Sequence, residues 1–90
     1  MKSIENIPKI GDSVQIKWHD ARFFPNTYSN EECLEHQMCL FTSLGYLLSQ
    51  DNITTRIAAE KNNENEYRDI TLIPTGSIVS IVELSPRTLM

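Results

Sequence analysis

The amino-acid sequence predicts a mainly β fold, a small five-stranded bent barrel with a short helix in the long loop after the first strand. Three observations carry this. Five segments show the apolar or period-two patterns of strands. One segment shows a helix-start signature. Gly45 and the Pro74–Gly76 stretch interrupt apolar runs where a closing sheet needs corners. Ninety residues make one domain, 1–90, with an irregular N-terminus at 1–10 and a tail at 85–90. A chain this short buries a small core, and small barrels gain stability by oligomerising.

Pro8 keeps the first ten residues out of regular pairing, and Gly11-Asp12 turns the chain into a strand over Ser13–Asp20. Val14, Ile16 and Trp18 alternate there with Gln15, Lys17 and His19, as in a half-buried strand. A long connection follows, Ala21 to Met38, with a turn at Pro25-Asn26. Ser29 and Glu32 form a capping box, so a helix is expected from Asn30 to Gln37, burying Leu34 and Met38. Glu31, Glu32 and Glu35 lie near its positive end. Cys39–Gln50 reads as the second strand. Leu40, Thr42, Leu44, Tyr46 and Leu48 share one face; Phe41, Ser43, Gly45 and Leu47 share the other.

Asp51-Asn52 marks a tight turn, and Ile53–Glu60 reads as the third strand, with Ile53, Thr55, Ile57 and Ala59 inward and Arg56 outward. Lys61–Glu66 is an exposed hairpin loop. Tyr67–Ile73 is the fourth strand, Pro74-Thr75-Gly76 breaks it, and Ser77–Leu84 is the last. This element order is that of a Src-homology or Sm-like barrel, and an open α+β meander is the competing fold.

The formal net charge of −4, from 8 Lys and Arg against 12 Asp and Glu, argues against duplex DNA, which is held by a basic surface. It leaves room for a small anion, since a few local groups can hold one phosphate. No apolar run reaches membrane-spanning length and the N-terminus has no apolar signal core, so a cytoplasmic protein without a membrane partner is expected. Cys33 and Cys39 are then reduced thiols. Cys33, His36 and Cys39 invite a zinc reading. Positions three and six apart drift around a helix, a fourth ligand would have to come from His19 or a carboxylate, no C-x-x-C pair is present, and no metal or other cofactor is implied.

No catalytic set of side chains can be placed. His19 neighbours Asp20, but adjacent strand residues point to opposite faces. Three separated glycines make no phosphate loop, so the chain reads as a non-enzyme. Candidate binding residues are clearer. Trp18 and Tyr46 offer flat faces to a base, Thr42 and Ser43 offer hydroxyls beside Gly45, and Arg22 and Arg56 suit an anion. Each has a plainer structural alternative. Trp18 continues the Val14–Ile16 face into the core, and Phe23-Phe24 anchors the long loop to the barrel. Asp20 caps loop backbone, Arg22 pairs with an acid, and Arg56 is solvated.

Three stretches resemble a pattern of small proteins common in phage genomes: "VQIKWHDA", "FTSLGYLLSQDNITTRIAAE" and "ITLIPTGSIVSIVEL". They are similar to a V-x-V-x-W-x-D-A opening, a T-S-x-G-x-L segment leading to I-x-x-x-I-A, and an I-P-x-G-x-I closing. The match spans Val14 to Leu84. Trp18, Asp20 and Ala21 fall on the opening, Thr42, Ser43 and Gly45 on the second element, and Pro74 and Gly76 on the third. The pattern resembles phage sponge proteins that sequester cyclic-nucleotide immune signals such as those of CBASS defence.

The resemblance implies a non-catalytic homo-oligomer, a tetramer, that binds a cyclic nucleotide between subunits in the host cytoplasm. Asp20 or Arg22 would touch the ligand or the neighbouring subunit. Ligand choice would lie in the loop from Arg22 to Met38, which has no matching motif. Two other readings stand beside it. One is a protein-interaction module that inhibits a host protein, which suits the acidic balance and the exposed "NNENE" loop. The other is an Sm-like RNA-binding adaptor, which the acidic charge disfavours.

Overall fold

Gly11 takes a φ of +99°, a conformation that favours glycine, and turns the chain into β1 (Ser13–Asp20). The turn continues the coming ladder, because Gly11 N donates to Leu47 O and Leu47 N donates to Asp12 O. The computed structural model describes residues 7–84. After β1 come α1 (Asn30–Glu35), β2 (Cys39–Gln50), β3 (Thr54–Lys61) and β4 (Tyr67–Pro74). A 3-10 turn over Thr75–Ser77 then leads into β5 (Ile78–Glu83). All neighbouring strands are antiparallel, and the sheet order is β4-β3-β2-β1-β5. The expected irregular start and tail at 1–6 and 85–90 lie outside the described residues. No helix described is long and apolar enough to cross a membrane.

The fold is mainly β with five strands and one short helix, as expected, but the barrel is not closed. No ladder joins β4 to β5, which remain the two edges. The sheet nevertheless curls. Neighbouring strands lie about 4.8 Å apart, so a flat sheet would hold β4 and β5 about 19 Å apart. From Pro74 to Ile78 the 3-10 turn takes four steps of about 2 Å, and so bridges about 8 Å. The 3-10 turn lies against β1, which sits across the sheet from β4. The same curl explains burial. Val14, Ile16, Leu47, Ile57 and Ile73 are almost fully buried, with Trp18, Ile78 and Ile81 packed against them. α1 buries none of its residues, so the sheet covers its own concave face.

Two features permit the bend. Bulges break the register between Lys17 and Trp18 opposite β5 and between Leu47 and Ser49 opposite β3. At Gly45 the backbone of β3 comes so close that a Cβ would sit 2.6 Å from Ala58 O. β2 therefore pairs with β1 through its first part and with β3 through its last, and Gly45 lies next to the crossover at Tyr46.

A hydrogen-bonded chain closes the tight end. Gln50 Nε2 donates to Thr55 Oγ1 (3.1 Å), the Thr55 and Thr75 hydroxyls bond each other (2.9 Å), and Thr75 Oγ1 donates to Asp51 O (2.8 Å). Each hydroxyl has one proton, so Thr55 donates to Thr75. Thr75 N also donates to Ile53 O. Thr55, the polar residue in the core, is thereby satisfied.

Several local expectations are corrected. The capping box at Ser29 and Glu32 is present in both directions, but the helix ends at Glu35 because His36 is extended. Met38 falls beyond it, and Leu34 and Met38 are exposed instead of buried. Ile53 is exposed rather than inward, because it sits in the turn that the Asp51 carboxylate organises by accepting from Ile53 N and Thr54 N. Ala59 is exposed and Ala58 buried, because β3 pairs with β2 only over Thr55–Ala58 and runs beyond it as a hairpin with β4. Phe23 is exposed and anchors nothing.

Two outcomes follow for stability. Gly45→Ala sets a methyl against backbone that cannot swing aside, so it should lower stability by about 1–3 kcal/mol, read as a shifted urea midpoint. The backbone hydrogen bonds from Thr54 and Ile53 hold the Asp51 carboxyl below the usual aspartate range. A folded pKa below the unfolded one gives stability that is complete above the unfolded value. It is lost as pH falls through the folded one. Asp51→Asn keeps an acceptor but does not titrate, so its urea midpoint should fall less on acidification than that of the parent chain.

Candidate functional site

Alternation along β1 and β2 sorts the candidate residues by face. Trp18 pairs with Phe41 and Ile16 with Ser43, so these four lie on the concave side. Trp18 Nε1 donates to Ser43 Oγ at 3.0 Å, and the Trp18 and Phe41 rings lie tilted with centroids 5.6 Å apart. Trp18 is half-buried against the core, while Phe41 is exposed, so Phe41 presents the open aromatic surface at this end. Thr42 pairs with Lys17 on the convex face. The adjacent hydroxyls Thr42 and Ser43 thus point to opposite sides of the sheet and do not meet at one ligand.

The loop residues form a cluster of their own. Asp20 Oδ1 accepts from Ala21 N at 2.9 Å, capping the exit from β1. The Arg22 guanidinium lies over the Phe24 ring at 4.6 Å, and Phe24 stacks on His36 with ring centroids 4.0 Å apart. Tyr28 meets His36 edge-on, with ring centroids 4.5 Å apart. These contacts, rather than Leu34 and Met38, hold the loop together. The two cysteines are free, Cys33 exposed and Cys39 half-buried. Among the described residues, no three His, Cys, Asp or Glu side chains gather as a metal set.

Tyr46 and Arg56 lie on the convex face. Arg56 Nη1 donates to Ser49 Oγ at 3.1 Å and is half-buried. Tyr46 belongs to an open cleft of about 840 Å³, formed where the β3–β4 hairpin runs out past β2. The cleft is lined by Glu60, Lys61, Glu66, Tyr67 and Arg68 as well as Tyr46, and the two tyrosine rings stand 6.2 Å apart. Its size suits a small-molecule ligand, for which pockets run about 300–1,000 Å³. The wall is built by the hairpin loop. Asn62 Oδ1 accepts from Glu64 N and Glu66 N, and Asn65 takes a positive φ of 63°.

The charges in the cleft are unequally engaged. Glu60 pairs with Arg68 and drives it further toward its charged form, by its hydrogen bond first and its charge second. Glu66 Oε1 accepts from Asn62 Nδ2 at 2.8 Å. Lys61 has no carboxylate partner among the described residues. Two aromatic faces and a free ammonium group are what a nucleotide needs, a base to stack and a phosphate to neutralise.

The seven candidate residues therefore fall into three places. Trp18 and Ser43 are brought together on the concave side. Asp20 and Arg22 are used within the loop and its exit. Thr42, Tyr46 and Arg56 are convex, with Tyr46 alone of them in the cleft. Lys61 and Tyr67 were not singled out from the sequence. Their signal was available only in part, as an aromatic residue opening a strand directly after an acidic loop. Comparison with protein-family models, curated proteins and solved structures finds no significant match for this chain.

Trp18 is the chain's single tryptophan, so its hydrogen bond has a direct readout. Ser43→Ala should cost about 1 kcal/mol and shift the tryptophan emission, with no change in secondary structure by circular dichroism.

Proposed function

We propose that this protein is a non-catalytic binding protein that captures a cyclic nucleotide, working as a homo-oligomer in the cytoplasm of a phage-infected cell. The observation that carries the reading is the Tyr46–Tyr67 cleft with its unpaired Lys61. The cleft is wide on one side, so a second copy of the chain would complete its enclosure. In this reading the curled sheet is a five-stranded barrel of the Src-homology or Sm type, left unpaired between β4 and β5. Capture without chemistry needs only stacking, charge and enclosure, and the ligand leaves unchanged.

The test is thermal denaturation with cyclic mono-, di- and trinucleotides and cyclic ADP-ribose isomers. A ligand at 100 times its dissociation constant adds about 2.7 kcal/mol of stability and raises Tm accordingly. Tyr67→Ala should weaken binding by about 1–3 kcal/mol, the usual worth of one stacked base. Lys61→Ala should weaken it and reduce its salt dependence. No shift with any ligand, or a shift indifferent to both substitutions, overturns the assignment.

A second reading, a protein-interaction module that inhibits a host protein, draws on the many exposed apolar side chains. It predicts a stable complex with a macromolecule and no nucleotide-dependent change in Tm.

A further inference from the structure

The register places an apolar stripe on the convex face of β4, β3 and β2, which resumes on β5 beyond the polar Ser13 and Gln15 of β1. Ile70 pairs with Ala58, Ala58 with Tyr46, and Tyr46 with Ser13, whose carbonyl accepts from Leu84 N. One step along, Leu44 pairs with Gln15 and Gln15 with Val82. Leu72, two residues beyond Ile70, extends the stripe along β4. Leu44 is 59% exposed, Leu72 56%, Ile70 44% and Val82 44%, although all are large apolar side chains in regular strands. Alternation alone would have put polar residues there, as it does for Lys17 and Thr42.

We infer that this convex stripe is the face through which two copies of the chain pack, sheet against sheet. Three features of this face select a second copy as the occupant. The first is area. The exposed parts of these side chains amount to on the order of 400 Å² of apolar surface, close to the apolar half of the ~800 Å² that each partner contributes to a stable interface.

The second is the smallness of the core. Six apolar side chains are buried in the described residues, and five of them, all but Ala58, face the concave side. Covering the stripe with a copy supplies the second layer that a single sheet lacks.

The third is charge. The chain is acidic overall, yet the acids of α1 and of the hairpin loop (Glu31, Glu32, Glu35, Glu64) lie off the stripe. Its border carries Lys17, Arg56 and the neutralised Arg68–Glu60 pair. The acid on this face, Glu60, is paired with Arg68, so like-charge repulsion is reduced where the two sheets would meet. A two-fold pairing of this kind is self-complementary and closes on itself, and it can serve as the unit of a larger symmetric assembly. The pairing stands on the stripe. Its bearing on the ligand rests on the proposed nucleotide reading, since Tyr46 belongs to both the stripe and the cleft.

The experiment is sedimentation velocity of the full chain over a wide concentration range, with Leu44→Glu, Leu72→Glu and the control Leu34→Glu. Leu34 is also exposed but lies on α1. The expected result is a dimer or a multiple of it for the parent chain and for Leu34→Glu, and monomers for Leu44→Glu and Leu72→Glu. Circular dichroism should show the monomers still folded.

A parent chain that stays monomeric overturns the inference, and so does a dimer that survives both stripe substitutions. A monomer that instead binds a different protein through Leu44 and Leu72 overturns it as well. Thermal denaturation with the nucleotide panel, run alongside, separates the two proposals. A dimer that binds no nucleotide leaves this inference standing and removes the ligand. A monomer that binds one does the reverse.

Discussion

The constraint on which the rest depends is the three-residue connection from β4 to β5. It joins the two opposite edges of a five-stranded sheet, and no flat sheet can accommodate so short a bridge. The sheet must curl until those edges approach at one end. Thr75, the first residue of the bridge, is fixed by Ile53 O, Asp51 O and the Thr55 hydroxyl. Its bonds tie the β4–β5 crossing to the β2–β3 turn, so the curl is held at its tight end by polar contacts and along its length by Val14, Ile16, Leu47, Ile57 and Ile73. Gly45 is the complement of this clasp. Where the strands bend most closely past one another, the side chain is absent.

Curling makes the two faces unequal. The concave face is taken up by the small core, with the half-buried Trp18 packed against it and the exposed Phe41 beside Trp18. The convex face gains area and keeps its apolar side chains in solvent. The hairpin of β3 and β4 outruns the support of β2 after Ala58, and the cleft between Tyr46 and Tyr67 exists because of that overhang. Asp69, within β4 in the overhang, takes a φ of 61°, a local distortion that blunts that edge as a template for further strands.

Much of this was legible in the sequence, and what was not has physical reasons. The alternation of Val14, Ile16 and Trp18 placed β1 to the residue, and Ser29 with Glu32 placed the start of the helix. Pro74–Gly76 placed the break before β5. The helix end was not legible, because Leu34 and Met38 have helical spacing whether or not the helix reaches them. Ala58 and Ala59 could not be told apart, since which one is buried depends on where β2 stops pairing, a tertiary fact.

β2 is apolar on both faces, so periodicity gave its two sides without saying which faced the core. The candidate site suffered from the same limit. Thr42 and Ser43 are adjacent in sequence and so on opposite faces, which alternation does reveal. The meeting of Tyr46 with Tyr67 across 21 positions needs the register of three strands.

Tyr46 is where the two proposals touch. It is paired with Ser13 and Ala58 inside the convex stripe, and its ring faces Tyr67 in the cleft. A ligand that stacks there and a second copy that packs there act on one side chain, so the two equilibria are coupled. Coupling of this kind is reciprocal: whatever factor the ligand applies to the association of the copies, association applies to the affinity for ligand. If the copy completes the wall of the cleft, the factor exceeds one and capture sharpens as the protein accumulates. If it draws the Tyr46 ring away from Tyr67, the factor falls below one, and the monomer is the form that binds. The position of one tyrosine ring in the associated state decides between them.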